Sequence, residues 1–105
     1  MSFGVMGGHY QAFGHMHFLS RLFDFDHDIQ EAQDAPRIFP VPGEDKVEME
    51  RGIPTDVISG LEKLGHKYVA ASKPIGGSQA IWIDHDRGLL TGGSDPRKDG
   101  CAVGF

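Results

Sequence analysis

The sequence predicts an α+β fold with a mostly antiparallel sheet and about three helices. Near the start, apolar residues recur at helical spacings of three and four (Tyr10, Phe13, Met16, Leu19, Leu22 and Phe23). Further on, short apolar runs bounded by Gly, Pro and Asp read as strands at 47–50, 67–72 and 79–84. The order helix, helix, strands, helix, strands is not the regular alternation of a parallel α/β protein.

Residues 10–25 read as the first helix, with Phe18 and Phe25 widening its apolar stripe so that burial on more than one side is expected. Asp28 followed by Glu31 is an acidic capping box for a short second helix, and Pro36 ends it by disfavouring helical geometry in the residue before it. Arg37, Ile38 and Phe39 read as extended, with turn residues Pro40, Pro42 and Gly43 before the alternating strand 47–50. Pro54 suits the first turn of a third helix whose stripe is Val57, Leu61 and Leu64, with Gly65 at its end, and this helix is expected on a surface. Residues 79–84 and 89–91 read as a hairpin about residues 85–88.

At 105 residues the chain has room for one domain, 1–105. Hydrophobic content of 39%, charged content of 24% and a net charge of −5 describe an ordinary, mildly acidic globular protein. No basic stretch suggests nucleic acid, and no apolar run approaches the roughly 18 residues of a membrane span. The N-terminal MSFGVMGG lacks the positive flank and apolar stretch of a signal peptide, so a cytoplasmic location is expected. The single cysteine, Cys101, excludes an internal disulfide and a cysteine-based zinc cluster.

The stretch GVMGGHYQAFGHMHFL holds the densest cluster of candidate chemistry. Its histidines make a poor metal site: at 100° per residue His15 and His17 fall on nearly opposite faces, while His9 and His17 share a face about 12 Å apart. No i, i+4 pair of the zinc-helix kind is present, and neither a metal nor any other cofactor is predicted. The Lys-Ser/Thr of a phosphate loop is also missing. What remains is the device itself: backbone N–H groups at a glycine turn leading into a helix form a positive concavity for an anion, whether phosphate or the oxyanion of acyl transfer.

Six strings then combine, in order and spacing: GVMGGHYQAFGH, EAQDAPR, VEMERGIP, GLEKLGH, GGSQAIWID and GGSDPRKDGCAVGF. Together they resemble the C-terminal part of the γ-glutamyltransferase (γ-glutamyltranspeptidase, glutathione hydrolase) family over nearly the whole chain. The resemblance implies the C-terminal portion of an N-terminal-nucleophile hydrolase αββα sandwich. In that family a self-cleaving precursor exposes an N-terminal threonine, which attacks the γ-glutamyl amide with its own α-amine as base. The family's glycine pair, matched here by Gly7 and Gly8, donates to the tetrahedral oxyanion.

The same resemblance places the nucleophile and most of the glutamyl-binding residues upstream of the glycine pair. Here the threonines are Thr55, expected in the first turn of a helix, and Thr91, expected at a strand end. No catalytic residue is assigned. Ser2 is expected on a flexible terminus, and the chain alone is expected to be inactive, as a fragment or split product. The alternative is a stand-alone, non-catalytic oligomeric or anion-binding module derived from that fold. Arg37 and Arg97, each after a proline, are expected to tie loops together through carboxylates such as Asp34, Asp95 or Asp99. A sheet cut from a sandwich bares an apolar face, so a homo-oligomer or a complementary chain is expected.

Overall fold

The computed structural model describes all residues from Met1 to Phe105. Along the chain run β1 (Ser2–Met6), a 3-10 turn (Gly8–Tyr10), α1 (Gln11–Phe23), α2 (Ile29–Asp34), β2 (Ile38–Pro40), β3 (Lys46–Met49), α3 (Thr55–Lys63), β4 (Lys67–Ala70), β5 (Gly77–Asp84) and β6 (Leu89–Ser94). They form two compact units, one of Met1–Ala35 with Gly76–Phe105 and one of Pro36–Ile75.

The first unit is an antiparallel sheet in the order β1-β5-β6 with α1 and α2 on one face. Its core joins Phe18, Ile29, Ala32 and Ala80, with Phe3 and Leu22 packed against them. Ser2, expected on a flexible terminus, is instead the first residue of β1 and stands opposite Ile81. At five residues β1 is too short to show a clear period, and its pairing partner β5 lies some 70 residues further along the chain. Val5 is buried and Phe3 half-buried, while Ser2, Gly4 and Met6 face outward.

Helix α1 also departs from expectation. Its buried row is Tyr10, Gly14 and Phe18, with Leu22 half-buried one turn further on, whereas Met16, Phe23 and Phe25 are exposed. The helix therefore buries one face, chosen by the i, i+4 row whose glycine lets β1 approach closely. α2 begins as expected. The Gln30 and Glu31 amides each donate to Asp28 Oδ1 at 2.8 Å, and the Asp28 amide donates to Glu31 Oε2 at 3.0 Å.

The second unit holds a sheet in the order β2-β3-β4, antiparallel between β2 and β3 but parallel between β3 and β4. The parallel pair follows from α3, which carries the chain back to the start of the sheet and buries none of its own residues. Val47 and Met49 supply the buried face. At the sheet's rim the Lys67 ammonium, 2.7 Å from Asp45, holds that carboxyl below its usual range; the pair lies in solvent and stabilises little. The two ends of the unit are clamped together. Glu50 accepts the Arg37 amide on one carboxylate oxygen and the Ile75 amide on the other, both at 2.9 Å, and the Arg37 guanidinium donates to the Ile75 carbonyl at 2.8 Å.

Candidate functional site

β1 stops at Met6 because the next two residues turn the chain into a helix. Gly7 has φ +142° and Gly8 has φ +59°, backbone conformations that residues with side chains rarely adopt. Tyr10 N–H donates to the Gly7 carbonyl at 3.1 Å and Gln11 N–H to the Gly8 carbonyl. The amides ahead of these are the donors that a helix start leaves without partners inside the helix. A Cβ at Gly8 would meet nothing within 4 Å, so the turn presents its backbone to open space.

Tyr10 holds this turn in place. The residue is 2% exposed, and its ring atoms lie 3.3, 2.7 and 2.6 Å from where Cβ atoms on Gly7, Gly14 and Gly76 would stand. Gly76, at φ +66°, also brings its Cα to 3.1 Å from the Cβ position of Gly7. The turn is thus packed from beneath by an aromatic ring in a slot of three glycines. The histidines are scattered: His9 is exposed, His15 Nδ1 bonds the Gln11 carbonyl at 2.7 Å, and His17 Nδ1 lies 3.4 Å from the Tyr10 hydroxyl.

The second half of the unit is fixed by a buried polar knot. Asp95, fully buried, accepts the Ser78 amide at 2.8 Å and the Ser78 hydroxyl at 3.0 Å on Oδ2. Its Oδ1 accepts the Arg97 amide at 2.9 Å and the Arg97 guanidinium at 3.2 Å. The same guanidinium reaches the Gln33 and Ala35 carbonyls at 2.7 and 3.0 Å, satisfying acceptors at the C-terminal end of α2. Gln33 Oε1, 3.1 Å from the Ser78 hydroxyl oxygen, is a second acceptor that shares that single proton with Asp95, and Gln33 Nε2 donates to the Ile29 carbonyl.

Of the sequence-derived candidates, Gly7 and Gly8 form one feature and Asp95 with Arg97 another, while Arg37 lies in the second unit, clamped to Ile75 and Glu50. Asp34 bonds Gln30 at 2.8 Å. From sequence, Tyr10 has only a place in the apolar stripe of α1, Gly76 only a place in a glycine pair, and Gln33, Glu50 and Ser78 no role beyond membership of the strings EAQDAPR, VEMERGIP and GGSQAIWID. Each of the three polar residues meets partners distant in the chain.

The gamma-glutamyltranspeptidase family model matches residues 1–105. The chain belongs to the gamma-glutamyltranspeptidase family. The glutathione hydrolase proenzyme of Bacillus subtilis (strain 168) is 33% identical over 82 residues, which make up 78% of this chain and 14% of that protein. The crystal structure of cephalosporin acylase from Bacillus halodurans is 38% identical and superposes with a TM-score of 0.91, covering 98% of this chain and 19% of the acylase. The gamma-glutamyltranspeptidase from Pseudomonas nitroreducens complexed with L-DON has a TM-score of 0.86 at 22% identity, over 98% of this chain and 54% of that one, a likeness in fold alone.

The α+β architecture is thus the C-terminal portion of the N-terminal-nucleophile hydrolase fold of the gamma-glutamyltranspeptidases. In its relatives this segment is a minor part of a longer protein. No helix of the chain is long and apolar enough to cross a membrane.

Proposed function

We propose that this chain forms the oxyanion-binding C-terminal part of an amide-cleaving gamma-glutamyltranspeptidase-type enzyme, with the nucleophile supplied by a complementary segment or chain. The observation that carries the reading is the Gly7 and Gly8 turn, whose backbone opens to solvent at the start of α1 while Tyr10 fixes it from below. When a nucleophile adds to the substrate carbonyl, the carbonyl oxygen becomes an anion. Amides already held in position stabilise that charge without reorganising, and loss of one such donor in a comparable site costs about 3 kcal/mol. Relatives that share the segment include a glutathione hydrolase and a cephalosporin acylase, so the reaction class common to them is amide cleavage, with γ-glutamyl amides as the first substrates to try.

The chain's own threonines do not serve as nucleophile in this reading. Thr55 opens the surface helix α3, and Thr91 lies inside β6 opposite Trp82. The purified 105-residue protein is expected to release no chromophore from a γ-glutamyl anilide, and to do so once the nucleophile-bearing remainder of a family member is added. Ser2 opens a strand, the place from which such a nucleophile acts, so it is the control: turnover abolished by Ser2→Ala would make this chain catalytic in itself, and turnover that survives the change would mean a nucleophile elsewhere in it. Arg37, Asp95 and Arg97 are structural in this reading, because each bonds backbone groups and side chains of its own unit.

The outer face of the first unit's sheet supports the need for a partner. Met6, Ile81 and Leu90 project from it at 57, 46 and 70% exposure. Each hundred Å² of apolar surface covered there contributes about 2.5 kcal/mol to association. Light scattering of the isolated chain at micromolar concentration is expected to show a dimer or larger species, which the complementary chain dissolves into a one-to-one complex; a monodisperse monomer would contradict the partner requirement.

A further inference from the structure

At the end of the first unit remote from the glycine turn, a cleft of about 480 Å³ is lined by residues from the end of α1, the start of α2 and the β5–β6 hairpin. Clefts of roughly 300–1,000 Å³ take small molecules. Met6, the residue before the turn, pairs with Gly77, and Trp82 in the cleft lies five residues further along β5. At about 3.3 Å per strand residue the two places are on the order of 16 Å apart, so the cleft is no part of the oxyanion turn.

Two aromatic rings stand at this cleft. Trp82 falls on the same face of β5 as the core residue Ala80, and Phe23 ends α1 beside it, with ring centroids 6.4 Å apart and planes inclined by 51°. They are 39 and 61% exposed, so ring surface stays open on both, while Leu22 and Ile29 add apolar lining from the core side. The polar lining is short of donors. His27 Nδ1 is shielded from water yet meets no hydrogen-bond partner in the chain, a condition that native structures rarely leave. The backbone fixes that residue in place, with Asp26 at φ +54° and the His27 amide donating to the Arg21 carbonyl at 3.0 Å. Asp28 spends Oδ1 on the Gln30 and Glu31 amides and bonds nothing in the chain through Oδ2. Gln30, by contrast, is committed at both ends of its amide, to Ser94 and Asp34.

We propose that this cleft binds a small planar aromatic cation, of the amidine or protonated heteroaromatic amine class, with its ring against Phe23 and Trp82 and its N–H groups on Asp28 and His27. The ring faces attract positive charge, the carboxylate balances it, and the imidazole nitrogen gains the donor that the chain does not supply. The site is independent of the chemistry at Gly7 and Gly8.

Trp82 is the chain's one tryptophan, so its emission and its indole N–H resonance report on the cleft. The probes are benzamidine, benzamide and benzoate, flat molecules of nearly equal size that are cationic, neutral and anionic. On the 105-residue chain, benzamidine is expected to change both signals saturably and to bind at least about fivefold more tightly than benzamide, with benzoate weaker still. The Gly7 and Gly8 amides are expected to stay unmoved. Asp28→Asn, which keeps a good helix cap, is expected to bring benzamidine and benzamide within about twofold of each other. His27→Phe, which keeps a flat ring, is expected to weaken both by about fivefold, because both donate N–H groups. The proposal is overturned if benzamidine gives no saturable change, if benzoate binds as tightly, or if neither substitution alters the affinities. Should a variant lose its parent circular dichroism, the order of the three probes on the unsubstituted chain decides.

Discussion

Asp95→Ala is expected to lower stability by about 3–5 kcal/mol, the cost of removing one member of a buried charged pair. The carboxylate accepts from the Ser78 and Arg97 amides, which lose this acceptor, and from the Ser78 hydroxyl and the Arg97 guanidinium, which keep acceptors on Gln33 and Ala35. In a chain of this size each kcal/mol moves the melting temperature by about 4–8 °C, which puts the expected fall above about 12 °C by circular dichroism. Asp95→Asn keeps the shape and part of the bonding and is expected to lose less. Arg97→Ala removes the donor shared by Asp95, Gln33 and Ala35. A melting temperature left unchanged by that substitution would count against a structural role for the arginine.

Tyr10→Ala is expected to cost about 3–5 kcal/mol, in line with the loss of a large buried aromatic. The effect should reach beyond stability. Tyr10 is the one side chain that reaches all three of Gly7, Gly14 and Gly76, so without its ring the glycine turn loses its floor and its amides should broaden or move in ¹⁵N spectra. Tyr10→Phe keeps the ring and gives up the long contact from the hydroxyl to His17, at 3.4 Å. It should leave both urea midpoint and turn resonances close to the parent. Equal losses in the two variants would place the effect on the hydroxyl rather than on the packing.

Local chemistry made part of the fold legible. The Asp28 and Glu31 capping box, the proline start and glycine stop of α3, and the hairpin of β5 and β6 each depend on neighbours a few residues apart, and each stands as read. What depended on distant partners was not legible. β1 is a strand because β5 pairs with it, not because SFGVM announces one. Which row of α1 faces inward was decided by the fit of Gly14 against Val5 rather than by the count of apolar residues. The parallel pairing of β3 with β4 gave no sign in either run. At the candidate site the glycine pair could be seen because it leads directly into an apolar stripe of helical period, but Gln33 and Ser78 look like ordinary polar residues until Asp95 is beside them.

The clamp between Arg37, Glu50 and Ile75 bears on how such a chain finds its fold. Joining β1 to β5 means closing a loop of about 70 residues, and the entropy lost grows with the logarithm of that length. Once Glu50 holds both ends of the second unit, residues 36–75 act as a single short link and the loop left to close is less than half as long. The saving is about 0.6 kcal/mol for each halving. It comes from two side-chain-to-backbone bonds that touch neither strand, and it makes an early collapse of the middle of the chain the cheaper route to uniting its ends.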